Sequence, residues 1–111
     1  MVKNYVPEKG DIVWLDFTPQ LGHEQRGRRP AIVLSKKTYN QKIGLAIFCP
    51  ITSKEKGYPF EVKITGKKIN GCVLSDQVKS LDWTERNIEY IETISDEIME
   101  EVLQKFLVLI Q

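Results

Sequence analysis

The chain is built from short apolar segments of β-type composition separated by turns containing glycine or proline, and this pattern restricts it to a small, mainly β fold. The predicted strands are residues 11–17, 31–34, 45–49, 60–64 and 72–75, with residues 77–78 continuing the sheet. Residues 45–49 are apolar without interruption, so both faces of that strand are expected to be buried. Pro50 is expected to end it, because proline has no N–H for a strand ladder.

The apolar period changes near the C-terminus, where a helix is predicted. Ser95 can cap it, and Asp96 and Glu97 suit the positive end of its dipole. One face of the helix carries Ile98, Val102, Phe106, Leu109 and Ile110, widened by Met99, Leu103 and Leu107. A small β-barrel or curled sheet closed by this helix is therefore the expected architecture. The wide apolar face could plug the barrel, contact a second subunit, or both.

Polar stretches between the predicted strands are interpreted as connections. They are residues 36–44, 54–59 and 66–71. The last of them ends in Asn70-Gly71, a dipeptide typical of tight hairpin turns. Residues 60–64 alternate apolar and charged side chains, which predicts a strand with one wet face.

Length and composition favour a single soluble domain over residues 1–111. No segment approaches the roughly 20 apolar residues of a membrane span, and the first residues lack the apolar core of a secretory signal, so a cytoplasmic location is predicted. Cys49 and Cys72 lie in apolar runs and are expected to be buried, reduced thiols. With one histidine and two distant cysteines there is no zinc motif, and no metal or other cofactor is expected.

Charge is distributed unevenly along the chain. Residues 1–83 carry fourteen Lys or Arg and eight Asp or Glu, a balance of +6, whereas residues 84–111 carry two and seven, a balance of −5. A basic body favours an acidic partner such as a phosphodiester backbone.

Residues 22–30, GHEQRGRRP, hold three arginines, one glutamate and the only histidine of the chain. Two glycines and the closing proline favour a loop, and arginine can bind a phosphate through two parallel hydrogen bonds. The stretch can therefore be an anion site or simply a solvated, charged loop.

Several blocks of sequence together resemble one family. They are residues 10–17 (GDIVWLDF), 22–25 (GHEQ), 29–31 (RPA), 50–53 (PITS), 56–62 (KGYPFEV) and 74–83 (LSDQVKSLDW). In order and spacing, over nearly the whole chain, they resemble the MazF branch of the MazF/PemK toxins. The resemblance implies an SH3-like β-barrel with a C-terminal helix, assembled as a homodimer. It also implies a metal-independent, ribosome-independent endoribonuclease that cuts single-stranded mRNA, favours an ACA-like triplet, and is inhibited by a cognate MazE-like antitoxin with an acidic segment.

The resemblance assigns three catalytic positions. Arg29 matches an arginine that stabilises the charge building up on the phosphate, and the family resemblance also implies an acid/base role for it, for which proton donation suits its high pKa better than proton removal. Thr52 matches a hydroxyl that hydrogen-bonds the same phosphate, although a hydroxyl at a strand end can equally serve the local backbone. Glu24 matches a carboxylate that either accepts the proton of the 2′-OH or orients Arg29. His23 is not expected to be essential.

Further residues are expected to contact RNA. Arg26 and Arg28 would guide phosphates, and Ser53 would assist Thr52. Lys56 and Gln77 fall where relatives meet RNA bases, and Lys79 is also expected to bind RNA. A solvated lysine and a strand glutamine are the simpler interpretations of Lys56 and Gln77. Trp14 and Trp83 could stack on bases, but Trp14 is expected to pack in the core.

Two other functions fit the same fold. The first is a DNA gyrase inhibitor, as in the CcdB relatives, and the second is an RNA-binding module without catalysis. Glu24, Arg29 and Thr52 favour the nuclease, because a gyrase inhibitor needs no site for phosphate cleavage.

Overall fold

A computed structural model describes residues 5–17 and 27–111 of the chain. The described residues form, in chain order, the strands and helices β1 (Asp11–Asp16), β2 (Arg28–Val33), α1 (Lys37–Ile43), β3 (Leu45–Thr52), β4 (Glu61–Thr65), β5 (Asn70–Leu74), β6 (Lys79–Asp82), β7 (Glu89–Thr93) and α2 (Asp96–Leu107). A 3-10 turn, Trp83–Glu85, connects β6 to β7. Within these ranges no helix has the length and apolar character needed to span a membrane.

The strand at the centre of the curled antiparallel sheet is β3. The strand order is β4-β5-β3-β2-β1-β7, and β6 also pairs with β3. On one edge β3 pairs with β2, and on the other its first half pairs with β6 and its last two residues with β5. Because its end changes partner, the sheet bends there and brings the end of β3 close to β2 and β5.

Apolar side chains fill both faces of the central strands. One cluster includes Ile12, Ile32 and Cys49 and is covered by Met99 and Val102 of α2. The cluster on the opposite face is formed by Val13, Leu15, Phe17, Ala31, Val33, Ala46, Phe48 and Ile88. The prediction that both faces of residues 45–49 are buried is confirmed for Ala46, Phe48 and Cys49, whereas Leu45 and Ile47 are only partly buried. The burial of both thiols is confirmed.

The C-terminal helix begins as predicted. The Ser95 side chain accepts a hydrogen bond from the Ile98 N–H at 3.3 Å, and Asp96 and Glu97 lie in the first turn. The helix ends at Leu107, so Leu109 and Ile110 lie beyond it and are exposed. A mainly β fold with a C-terminal helix is therefore confirmed.

Turn contacts link the two ends of the sheet. The Glu92 carboxylate of β7 accepts hydrogen bonds from three successive backbone N–H groups in the β4–β5 turn, those of Lys67 (3.0 Å), Lys68 (2.9 Å) and Ile69 (2.9 Å). The turn approaches so closely that a Cβ on Gly66 would lie 2.6 Å from a Glu92 carboxylate oxygen. A side chain thus ties β7 to the far end of the sheet, since no backbone ladder among the described strands joins β7 to β4 or β5.

The polar connection predicted over residues 36–44 joins β2 to β3, but most of it is the helix α1, which was not predicted from the sequence. This helix is held by polar contacts: the buried Asn40 donates to the Pro7 carbonyl (2.8 Å) and accepts from the Ser35 hydroxyl (2.5 Å). Gly44 ends it at φ +81° and donates to the Asn40 carbonyl at 3.0 Å. Since Tyr39 and Ile43 are exposed, the segment shows no apolar period.

Three predictions about strand limits are wrong. Pro50 lies inside β3, opposite Ala31 of β2, instead of ending the strand. Asn70 and Gly71 lie in β5 instead of in the turn. Gln77 and Val78 belong to the connection between β5 and β6, where the Gln77 N–H donates to the Leu74 carbonyl at 3.0 Å.

Candidate functional site

A cavity of ≈ 430 Å³ opens where the end of β3 meets β2, β5 and the connection over residues 53–60. It is lined by Arg29, Thr52, Ser53, Lys54, Lys56, Tyr58, Glu61, Leu74 and Gln77. Five of the predicted site residues are therefore together at one cavity: Arg29, Thr52, Ser53, Lys56 and Gln77. Its described lining contains three cationic side chains and one carboxylate, which favours an anionic ligand.

Strand register explains why Arg29 and Thr52 meet. In the antiparallel β2–β3 pair, Ala31 lies opposite Pro50. Extending this register two residues beyond the paired ladder would place Arg29 opposite Thr52. Two residues 23 positions apart in sequence thus present a guanidinium and a hydroxyl to the same space.

Thr52 is nearly buried, with 7% of its surface exposed. Its Oγ1 accepts a hydrogen bond from the Lys54 N–H at 3.1 Å, so the local backbone role considered from the sequence is present. A hydroxyl that accepts one hydrogen bond can still donate its own proton, so the group can also donate to a bound anion. Gly71 of β5 packs against the Thr52 carbonyl oxygen, which would lie 2.5 Å from a Cβ at that position.

The connection over residues 54–59 is exposed, but Glu61 anchors it. The Glu61 carboxylate accepts from the backbone N–H groups of Lys56 (3.0 Å), Gly57 (3.1 Å) and Tyr58 (3.2 Å). Only 9% of Glu61 is exposed, so the prediction of a wet charged face fails at this residue. The alternating pattern hides this role, since a glutamate at a strand start is typical of a solvated position.

A second contact fixes the same connection at its outer side. The Tyr58 hydroxyl donates a hydrogen bond to Asp76 Oδ2, and this bond raises the pKa of the Tyr58 phenol above its usual range. The Tyr58 ring packs edge-on against Phe60, with 5.9 Å between ring centroids. The roles of Lys54, Tyr58 and Glu61 at the cavity were not predicted, although Tyr58 and Glu61 lie in the block KGYPFEV that carries the family resemblance.

Two other predicted site residues, Arg28 and Lys79, are described but are not among the residues that line this cavity. Arg28 is in β2 and forms ion pairs with Asp16 (3.1 Å) and Glu89 (2.7 Å). Hydrogen bonds from Asn87 and Arg28 hold the pKa of Asp16 below its usual range. Lys79 begins β6 opposite Phe48. Glu24 and Arg26, together with His23, lie outside the described residues, so the roles predicted for them stay predictions.

The two tryptophans differ from each other in burial. Trp14 is 36% exposed, so the prediction that it packs in the core is wrong. Residues of β1 alternate between two faces, which places Trp14 on the face of Ile12, but Trp14 belongs to neither apolar cluster. Trp83 packs against the second apolar cluster and donates its indole N–H to the Asn40 carbonyl at 3.0 Å.

Comparisons of sequence and of structure with known proteins point to the same family. The family described as PemK-like, MazF-like toxin of type II toxin–antitoxin system matches residues 8–110. The endoribonuclease toxin MazF of Escherichia coli strain K12 is 46% identical over 110 residues, covering 99% of each chain. A crystal structure of MazF from Deinococcus radiodurans superposes with a TM-score of 0.92 at 48% identity, covering 96% of this chain and 97% of that one.

A structure of MazE–MazF from Deinococcus radiodurans matches with a TM-score of 0.85 at 46% identity, covering 95% of this chain and 96% of that one. The family match spans most of the chain, and the similarity to individual relatives extends over nearly their full length. The chain therefore belongs to the PemK-like, MazF-like toxins of type II toxin–antitoxin systems.

Proposed function

We propose that this chain is an endoribonuclease toxin that cleaves single-stranded mRNA and that a MazE-like antitoxin inhibits it. The observation that supports this function best is the convergence of Arg29 and Thr52 on one cation-lined cavity, in a chain of this family. A guanidinium and a hydroxyl on the same space are suited to holding the non-bridging oxygens of a phosphodiester.

The proposed chemistry uses the RNA's own 2′-OH and needs no metal. A base removes the 2′ proton, the 2′ oxygen attacks phosphorus, and the bond from phosphorus to the 5′ oxygen breaks as that oxygen gains a proton. The products are a 2′,3′-cyclic phosphate and a 5′-OH end. Arg29 stabilises the charge of the crowded intermediate and Thr52 donates to one of its oxygens. Glu24 is the proposed base.

The other cavity residues suit RNA binding. Lys56 supplies positive charge, and the amide of Gln77 can both donate to and accept from a base edge. The same cationic lining would attract an acidic segment of the antitoxin, which would then compete with RNA. The apolar residues after α2, Val108 to Ile110, are exposed and are the proposed contact between the two subunits of a homodimer. The proposed location of the protein is the cytoplasm.

The decisive test is incubation of the protein with single-stranded RNAs of varied sequence in the presence of a chelator. We expect cleavage with 5′-OH ends, and sequencing those ends would give the recognition sequence. Arg29→Ala should lower the cleavage rate by about 100- to 1,000-fold, the cost of removing one donor to a developing oxyanion.

Lys68→Ala is the matched control, because it removes the same charge from the exposed β4–β5 turn and should leave the rate unchanged. Near-normal cleavage by Arg29→Ala would refute the role of Arg29. Intact RNA across all sequences would exclude the nuclease and leave a gyrase inhibitor or a simple RNA-binding module.

A further inference from the structure

Glu61 is the only carboxylate among the described residues that line the cavity. Its carboxylate oxygens accept hydrogen bonds from the backbone N–H groups of residues 56–58. Gly57 has φ +74°, a left-handed conformation that glycine adopts at little cost. Successive N–H groups in such a turn form a concave anion cradle. Here the protein's own carboxylate fills that cradle.

Several contacts fix the backbone that carries this carboxylate. The Glu61 N–H donates to the Tyr58 carbonyl at 3.1 Å, and its carbonyl accepts from Lys105 Nζ of α2 at 2.9 Å. The preceding carbonyl, of Phe60, accepts from both the backbone N–H (3.1 Å) and the hydroxyl of Ser75. The backbone at Glu61 is thus held by contacts to α2, to Ser75 and to the preceding turn. Because Glu61 in turn binds residues 56–58, these contacts fix the position of residues 56–58 relative to the barrel.

The same geometry distinguishes Glu61 from a general base. Oε1 lies 3.1 Å from the Gly57 N and 3.2 Å from the Tyr58 N, and the Lys56 N–H is shared between Oε2 at 3.0 Å and Oε1 at 3.3 Å. These hydrogen bonds occupy acceptor positions on both carboxylate oxygens, so the carboxylate is engaged with the connection and not with a substrate hydroxyl. Its contacts lead instead to Lys56, the cation at the centre of the connection.

We propose that Glu61 is a positioning residue that holds Lys56 over the cavity and so sets the affinity for RNA. This inference rests on the proposed function, but the state of the connection can be measured without it. Glu61→Gln keeps the side chain's size and can keep the contacts to Oε1. It replaces the acceptor Oε2 with an NH₂ group that faces the Lys56 N–H, so that two donors repel.

The barrel contains a matched control. Glu92 also accepts from three successive backbone N–H groups in a turn, but it does not line this cavity. Glu92→Gln therefore removes an equivalent charge and an equivalent turn contact elsewhere in the same sheet. Comparing the two variants separates an effect on the RNA site from general loosening of the barrel.

The experiment combines amide hydrogen exchange with binding and cleavage of a short single-stranded RNA. Binding is measured with the 2′-O-methyl analogue, which cannot undergo 2′-OH attack. In Glu61→Gln we expect faster exchange at Lys56, about tenfold weaker binding and a raised KM with little change in kcat. In Glu92→Gln we expect faster exchange at Lys67 to Ile69 and binding within about twofold of wild type.

A double-mutant cycle identifies the residue through which Glu61 acts. If Glu61 positions Lys56, adding Glu61→Gln to Lys56→Ala should weaken binding no further. Wild-type binding by Glu61→Gln, additive losses in the cycle, or equal losses in both glutamine variants would overturn the proposal. So would a loss confined to kcat with a shifted pH profile, because that result would make Glu61 catalytic.

The two proposals fail in different ways. A wild-type protein that binds the analogue but leaves RNA intact would refute the nuclease alone, and the binding comparison would still test Glu61. A wild-type protein that binds no RNA would refute both.

Discussion

At the scale of single residues, burial decides whether a polar or ionisable side chain is reactive. Cys49 is fully buried in the first apolar cluster, and burial, together with the negative charge of Asp76, raises the pKa of its thiol to about 12. Thr52, three residues further along β3, is also nearly buried but borders the cavity. The same strand therefore carries an inert thiol and a hydroxyl available to a ligand.

This contrast predicts the labelling behaviour of Cys49. In a Cys72→Ala variant, which isolates the Cys49 thiol, reaction with a thiol reagent at pH 8 should be about a thousandfold slower than for an unperturbed thiol, because only the thiolate reacts. Labelling in denaturant should be complete and serves as the control. Rapid labelling of the native variant would show that the strand opens readily and would contradict the burial described.

At the scale of elements, the end of β3 is positioned by the close approach of β5. Gly71 lacks a Cβ, and this allows its backbone to lie against the Thr52 carbonyl oxygen and Ile51 Cγ2, which would be 2.5 Å and 3.2 Å from that atom. Because φ of Gly71 is not positive, its backbone conformation does not require glycine. Glycine is needed at this position because a larger residue would not fit against β3.

Gly71→Ala should therefore lower the free energy of unfolding by about 1–3 kcal/mol, the usual cost of overpacking, and should displace Thr52 from the cavity. Urea unfolding would measure the first effect and RNA cleavage the second. Asn70→Ala, on the exposed neighbouring residue of the same strand, is the control and should change the free energy of unfolding by less than about 0.5 kcal/mol. Unchanged stability of Gly71→Ala would mean that β3 and β5 separate at little cost.

How far the sequence predicts these elements depends on what holds each of them. The apolar runs of β1 and β3 and the capped, amphipathic α2 are stabilised by burial of their own side chains, so their patterns are visible. The helix α1 is stabilised by hydrogen bonds between the Asn40 side chain and residues Pro7 and Ser35. The fold brings these partners together, so the local sequence pattern does not show them. Pro50 is tolerated inside β3 for a similarly non-local reason, the change of partner strand at that point.

The candidate site was predictable only in part, for the same physical reason. Arg29, Thr52, Lys56 and Gln77 could be named because they lie in blocks that resemble a known family. Their convergence depends on the β2–β3 register and on the bend of the sheet, which no local pattern contains. Glu61 went unrecognised because its partners are backbone N–H groups, and these carry no signature in side-chain sequence.

At the scale of the whole molecule, Glu92 joins β7 to the β4–β5 turn and so connects the two ends of the sheet. Burial alone would raise the pKa of this carboxyl, but hydrogen bonds from three backbone N–H groups and the charge of Lys68 hold it below its usual value. The ionised form is thus favoured in the folded state.

A carboxyl pKa lowered by folding contributes stability above the unfolded pKa of about 4.3, and this stability is lost as the pH falls through the lower folded pKa. We therefore expect the free energy of unfolding of the wild-type protein to be about 1 kcal/mol higher than that of Glu92→Gln at pH 7. This difference should shrink as the pH is lowered towards 3. Urea unfolding across that pH range would test this expectation. A difference that stays constant, or grows as pH falls, would show that the contact does not depend on the charge of Glu92.

The pairing of the first strand with the last also affects how the chain is made. β1 pairs with β7, and contacts such as the one between Asp11 and Thr93 join residues 82 positions apart. During synthesis, β1 can pair with β2 soon after both have been made. The backbone groups on the other edge of β1 stay unpaired until Glu89 to Thr93, which form β7, have left the ribosome. Open strand edges promote aggregation, and pairings this distant form slowly. All described cavity residues precede residue 78, so a growing chain contains them well before it can close its sheet.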